Sequence, residues 1–249
     1  MTSNMNLYII TGTTKGLGAA LHSQLIADNS NVVLSLSRTK YEDVSAPNPT
    51  IYTDFANIAS VEAASEKVAI WLAGKHFERA VLINNAGVVL PVGGINAIGS
   101  AELTNNITVN LIAPMVAMRR FAELTRGIAK QRLIINISSG AAKRAIAGWS
   151  AYCAAKAGLE MATQVAALEA AADDPTLAIC ALAPGVVDTP MQGQVRAASV
   201  ESFPDVERFR TMKADGTLRP AADVARDIVQ LIASGKLTNG GIFDIRNMS

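Results

Sequence analysis

The sequence predicts an α/β fold, a doubly wound parallel sheet of about seven strands with helices on both faces, and three observations carry that expectation. Short apolar runs alternate with longer helix-forming stretches along the 249 residues, the pattern of a parallel sheet covered on both sides. The run Asn6 to Thr11 passes through a glycine turn, Gly12 to Gly18, directly into the helix start Ala19-Ala20-Leu21. No linker, repeat or low-complexity tract interrupts the alternation. Residues 1–249 therefore read as a single domain, with its site outside the carboxyl ends of the strands.

Taken in order, strands are expected near 6–11, 32–37, 50–53, 80–84, 132–138, 177–182 and 241–245. Helices are expected near 16–28, 57–73, 100–125, 150–172 and 221–234. The first strand–turn–helix unit is a phosphate cradle: glycines allow positive φ and close backbone approach, and a helix N-terminus offers N–H groups to an anion. Its spacing, GxxxGxG, differs from the GxGxxG of many dinucleotide folds. Pro47, Pro49 and Pro91-Val92-Gly93-Gly94 mark loops, and the 150–172 helix is rich in alanine. One stretch stands apart. From Met191 to Pro220 the chain is more polar, with Arg196, Glu201, Asp205, Glu207, Arg208, Arg210 and Lys213, and 191–220 is the expected substrate lid.

Composition mainly excludes. The net charge is +1 without a basic block, so neither nucleic acid nor an anionic membrane is indicated as a partner. The opening Met1-Thr2-Ser3-Asn4-Met5 has no basic-then-apolar signal, and no stretch reaches the 18 or so apolar residues of a membrane helix; a soluble, cytoplasmic protein is expected. Cys153 and Cys180 read as small buried residues rather than a disulfide. His22 and His76 have no second His or Cys at ligand spacing, so no metal site is expected.

Chemistry enters with Tyr152 and Lys156, four residues apart in a helical segment and so on one face. A phenol with a reference pKa of about 10 donates or accepts protons poorly near neutrality. A fixed cation beside it favours phenolate and moves it toward the working range. The second strand bears on the cofactor. An acid about twenty residues past a glycine loop would bind the ribose 2′-hydroxyl of NAD, whereas an Arg there suits the 2′-phosphate of NADP. Val32-Val33-Leu34-Ser35-Leu36-Ser37-Arg38-Thr39 ends in Ser37 and Arg38, with no carboxylate before Glu42. Arg38, with Lys15 in the loop, favours NADP(H).

The order TGxxxGxG, NNAG, a Ser thirteen residues before a Tyr, and YxxxK resembles the short-chain dehydrogenase/reductase family, over about residues 6 to 245. The resemblance implies a Rossmann-type domain and an NADP-dependent carbonyl reductase. It implies that the cofactor is held by Gly12, Thr14, Lys15, Gly16, Leu17 and Gly18, by Arg38, by Asp54 and Phe55 flanking the adenine, and by Asn85, Ala86 and Gly87. Pro184, Gly185, Val187 and Thr189, in a PGxxxTxM segment, would pass the nicotinamide. Asn110, Ser139, Tyr152 and Lys156 match the catalytic set. Ser139 would bond the substrate carbonyl and Tyr152 deliver the proton. Lys156 would hold the ribose and bias the Tyr, and Asn110 would fix the water that reloads the proton. The interval to Tyr152 selects Ser139 over Ser138, which would stand behind it. No catalytic position departs from the pattern.

Within the family, Gly148 to Lys156, Gln164 to Glu169 and Ala183 to Gln192 look most like sepiapterin reductase and the benzil-type diketone reductases. That implies a small ketone or α-dicarbonyl substrate, touched by Ser139, Trp149 and Met191, with Asp244 at the place of a pterin-anchoring acid. A family enzyme of another substrate class, 3-oxoacyl thioester or hydroxysteroid-like, and a dinucleotide sensor without turnover are the alternatives; the intact Ser139, Tyr152 and Lys156 argue against the sensor. The alanines of the 150–172 helix would let a second helix approach closely or would simply pack it on its own sheet; the resemblance, whose members commonly pair through this helix and the one near 100–125, implies a homodimer or homotetramer.

Overall fold

A computed structural model describes residues 5–39 and 46–248; the opening Met1 to Asn4 and Glu42 lie outside them. The first half runs β1 (Asn6–Thr11), α1 (Gly16–Ile26), β2 (Asn31–Ser37), β3 (Thr50–Tyr52), α2 (Ile58–Leu72), β4 (Phe77–Asn84), α3 (Ser100–Ile107) and α4 (Ala113–Thr125). The second runs β5 (Ala129–Ile137), α5 (Ser150–Asp173), β6 (Leu177–Ala183), β7 (Val187–Asp188), α6 (Pro190–Arg196), α7 (Val206–Ala214), β8 (Arg219–Pro220), α8 (Ala221–Ser234) and β9 (Ile242–Asp244). Seven strands form one sheet in the order β3-β2-β1-β4-β5-β6-β9, and every neighbouring pair is parallel. The chain winds outward from β1 to β3, then returns to β4 on the other side of β1. That reversal opens a crevice at the carboxyl ends of β1 and β4.

Successive residues of each strand feed opposite cores, because strand side chains alternate. Leu7 and Ile9 pack with α2, α4 and the C-terminal half of α5 through Val68, Phe121 and Ala167. Tyr8 and Ile10 pack with α1 and α8 through Leu21, Leu25 and Ile228. Both faces being covered explains why the strands read as unbroken apolar runs. Each fully buried Leu or Ile of this set, such as Leu7 and Ile10, contributes on the order of 2 kcal/mol of apolar transfer. A third cluster, including Val89, Ile146, Trp149, Tyr152, Phe203 and Phe209, lies apart from these two.

The structure departs from the expected elements at informative places. The helix expected over 100–125 is broken by a π-helical turn at Thr108–Ile112. Pro114 stands at the start of α4 and has no N–H to return to the carbonyl of Asn110, four residues back. The ladder slips by one residue there, and Ala113 N–H bonds to the Thr108 carbonyl instead. Within 191–220 the chain forms α6 and α7 and ends in β8, which pairs with β7 through Val187–Arg219 and Asp188–Pro220. Lys213 on α7 bridges to Asp188 at 2.7 Å, so the segment is tied down beside the crevice. No helix among the described residues is long and apolar enough to cross a membrane.

Candidate active site

The crevice is a cleft of about 570 Å³. One end is built from the glycine loop. Gly12 has φ +75°, and a Cβ on it would lie 2.9 Å from Ala86 Cα; a Cβ on Gly18 would lie 2.1 Å from the Gly12 carbonyl oxygen. Only glycine lets β1, the loop and the Asn84–Gly87 strand end converge so closely. Thr11 Oγ1 accepts the N–H groups of Asn85 and Ala86, each at 2.9 Å. Asn85 Nδ2 donates back to the carbonyls of Thr11 and Gly12 at 3.0 and 3.1 Å. No side chain caps the N-terminus of α1, which starts at Gly16, so its first-turn N–H groups suit an anion.

Lys15, Arg38, Asp54 and Phe55 line this end, with Thr14, Gly16 and Leu17; Gly18 lies beneath it. Ser37, which the sequence reading did not assign, also lines the cleft. Its buried Oγ has no hydrogen-bond partner among the described residues. An orphaned hydroxyl at the end of β2 and a glycine cradle that any Cβ would fill both fit a dinucleotide phosphate ligand.

The middle of the cleft brings together Asn110, Ser139, Tyr152 and Lys156 from the π turn, the end of β5 and the first turns of α5. The Ser139 hydroxyl lies near enough to the Tyr152 phenol to act on its proton affinity and accepts Ala141 N–H at 3.2 Å. Ser138 faces elsewhere and donates to Glu160 Oε1 at 2.7 Å. The two serines are thereby separated: one meets the phenol, the other meets a buried carboxylate. Lys156 Nζ donates to the Ile137 carbonyl at 2.8 Å, and a Cβ on Gly87 would lie 4.0 Å from it.

Burial pushes the Tyr152 phenol up, opposed by the Ser139 hydroxyl. Burial also lowers Lys156 to about 8, while the Glu160 charge acts the other way. From sequence alone, the ammonium is expected to draw the phenol down. Its Nζ is 5.9 Å from the centre of the Tyr152 ring, and desolvation of the phenol dominates. In this geometry Tyr152 holds its proton at neutral pH. Glu160, one turn beyond Lys156, was missed, although i, i+4 spacing could have found it.

Asn110 is fully buried. Its Oδ1 accepts Val88 N–H at 3.1 Å, and its Nδ2 donates to the Val88 carbonyl at 2.8 Å and to Asn106 Oδ1 at 2.9 Å. The side chain therefore splints the strand-end loop to the π turn, and both of its polar atoms are committed.

At the far end, Trp149 stacks on Phe203 with centroids 4.7 Å apart and meets Tyr152 edge-on at 5.4 Å. Val89, Ile146, Met191, Val195 and Phe209 complete an apolar wall. Pro184, Gly185, Val187 and Thr189 pass along the cleft floor. Asp244 lines the cleft too, but its carboxylate is forked by Arg246, with Nε donating to Oδ1 at 2.8 Å and Nη2 to Oδ2. That ion pair holds Asp244 below the usual carboxylate range. Arg246 was not singled out from sequence, though it stands two residues away. Both cysteines are free thiols, Cys180 buried and Cys153 partly so. No cluster of metal-ligating side chains occurs among the described residues.

A family model described as short chain dehydrogenase matches residues 6–199. The chain belongs to the short-chain dehydrogenase/reductase family. Benzil reductase ((S)-benzoin forming) of Bacillus subtilis (strain 168) is 36% identical over 243 residues, 97% of this chain and 99% of that protein. Sepiapterin reductase of Meriones unguiculatus is 28% identical, covering 95% and 94%. The fold of this oxidoreductase matches solved members of the family. A short-chain dehydrogenase/reductase from Saccharomyces cerevisiae superposes with a TM-score of 0.78 at 21% identity, covering 97% and 96% of the two chains. The 3-ketoacyl-(acyl-carrier-protein) reductase of Brucella melitensis, solved in complex with NADH, gives 0.72 at 22% identity and 96% of each.

Proposed function

We propose that this enzyme reduces a vicinal dicarbonyl, or a comparable small ketone, to the alcohol with NADPH. The observation that carries the reading is the Ser139–Tyr152–Lys156 constellation lying between a phosphate cradle and an aromatic wall, in a chain that aligns end to end with benzil reductases. When bound, the nicotinamide supplies the hydride. A carbonyl that accepts hydride develops an alkoxide, which needs a donor aimed at its oxygen and a proton to quench it. Ser139 Oγ–H donates to that oxygen, and the burial-raised phenol of Tyr152 is the proton source. Lys156 holds the ribose hydroxyls, and Asn110 acts by fixing the π turn and the Val88 main chain beneath the site. Residues 191–220 close over the substrate as its lid, through α6 and α7 beside the aromatic wall. Exposed Met115, Met161, Val165 and Leu168 on α4 and α5 support pairing of two chains through those helices.

The choice of NADPH rests on Arg38, Lys15 and the orphaned Ser37 hydroxyl around the end of β2. Charge-assisted bonds to a dianionic phosphate exceed neutral ones. Arg38→Ala is therefore expected to raise KM for NADPH about tenfold or more while leaving KM for NADH nearly unchanged. A wild type that uses both cofactors equally would contradict the assignment.

A dicarbonyl without ring N–H groups is favoured over a pterin because both oxygens of Asp244 already accept from Arg246, which neutralises the acid. A ring N–H would have to share the carboxylate with a guanidinium fork, a strong charge-assisted pair that weakens it as an acceptor for a neutral donor. Steady-state NADPH oxidation against benzil, diacetyl, isatin, sepiapterin and an acetoacetyl thioester tests the reading. Benzil and diacetyl should be turned over with kcat/KM at least about tenfold above sepiapterin. Preference for the thioester or for sepiapterin would replace it.

A further inference from the structure

Beyond the aromatic wall lies a second hollow, of about 310 Å³, lined by Leu90, Val92, Gln194, Ala197, Ala198 and Ser202. That volume is on the scale of small-ligand cavities, roughly 300–1,000 Å³. Gln194 lines both this hollow and the main cleft, so the two adjoin across one side chain of α6. Val92 and Ala198 pack against the same cluster that contains Trp149 and Phe203, which makes the hollow the outer side of the substrate wall.

Its chemistry is narrow. No charged side chain lines it. The Ser202 hydroxyl is turned to Ser199, lying 3.1 Å from both its carbonyl oxygen and its hydroxyl. Only the Gln194 amide is polar and placed between the two spaces. Leu90, another lining residue, is 46% exposed, and Ala197 and Ala198 supply room because their side chains stop at Cβ. Such a lining offers no charge to a phosphate or a carboxylate and few partners to a sugar. It suits an apolar group arriving from the cleft.

We propose that this hollow is the subsite for the distal apolar arm of the substrate, an aryl or bulky alkyl group on the carbonyl that is not being reduced. The inference rests on the dicarbonyl reading above and extends it to a size preference. With one carbonyl held by Ser139 and Tyr152, the near substituent lies against Trp149 and Phe209, and the far one passes Gln194 into the hollow. Diketones with two large arms use both spaces; diacetyl uses neither fully.

Filling the hollow tests this. Ala197 is exposed, on the turn that ends α6, and touches none of the reacting groups, so Ala197→Phe should fold, as a thermal melt matching wild type would verify. It is expected to lower kcat/KM for benzil about tenfold or more, the scale on which apolar pockets discriminate. Diacetyl turnover should stay within about twofold. Equal losses on benzil and diacetyl, or undiminished benzil turnover, would overturn the subsite. A wild type that reduces neither diketone would strike the parent reading instead. The subsite is then decided by calorimetric titration of benzil into the NADP⁺ complex: weaker binding to Ala197→Phe supports it, and equal or undetectable binding to both proteins overturns it.

Discussion

Tyr152→Phe is expected to lower kcat for diketone reduction by about 100-fold or more, the usual contribution of a positioned general acid, while leaving the affinity for NADPH nearly intact. The substitution removes one oxygen and keeps the ring, which is packed edge-on against Trp149, so the aromatic wall survives. What is lost is the proton. The phenol is raised by burial, which outweighs the opposing Ser139 hydroxyl, so it is protonated at neutral pH and ready to donate when hydride transfer makes the substrate oxygen basic. Phenylalanine leaves the Ser139 hydroxyl in place, which can still bond the carbonyl but has no phenol beside it to deliver a proton. Stopped-flow measurement of NADPH oxidation, with cofactor binding followed separately by fluorescence, checks both halves. A mutant that retains ample turnover would remove Tyr152 from the mechanism, and one that loses cofactor binding as well would make the phenol structural.

Why some of this was legible in the sequence, and some was not, follows from the range of the interactions. The strands were readable because each is buried on both faces by separate helix layers, and that leaves an apolar run, as in Leu7 to Ile10. The glycine loop was readable because Gly12 and Gly18 answer to steric limits that no other residue meets. The π turn at Asn110 was not read, although its cause, Pro114, stands in the sequence; helix period alone hides a one-residue slip. The short β7–β8 pair joins residues about thirty apart, with two residues per strand, and such pairing has no periodic signature.

In the site, Ser139, Tyr152 and Lys156 line one cleft: the four-residue spacing of Tyr152 and Lys156 sets them on one face of α5, and Ser139 reaches them from the end of β5. What pairs with them is another matter. Glu160 holding Ser138, Arg246 holding Asp244 and Ser37 left without a partner depend on how separate side chains meet in space. The balance of forces on the phenol was misjudged for the same reason: sequence shows a neighbouring cation but not the depth of burial, and burial dominates here.

Lys156→Met is expected to lose both turnover and cofactor affinity, with Kd for NADPH rising about tenfold or more, the scale of a charged hydrogen bond. The ammonium is buried, 5% exposed, and donates to the Ile137 carbonyl, so it is held at a fixed place in the cleft that Met cannot reproduce chemically. Its pH signature separates this role from simple packing. With the group lowered to about 8, the charged form is complete below that pH and disappears as pH rises through it. The wild-type profile of kcat/KM for NADPH should therefore fall on the alkaline side with a limb near 8, and the limb should be missing from Lys156→Met. Stability must move in the opposite direction. Between about 8 and the ordinary lysine range near 10.4, the unfolded chain keeps a proton that the folded chain has released, so the unfolded state binds more protons and stability rises with pH across that window. Tyr152, raised in both proteins, cancels from the difference between wild type and mutant. Denaturant midpoints measured from pH 7 to 10 should thus show wild type gaining on Lys156→Met as its activity declines. Parallel profiles in both measurements would mean that Lys156 keeps its proton in the folded enzyme across the whole range, so that burial has not lowered it; an unchanged Kd for NADPH in Lys156→Met would give the ribose role to another group.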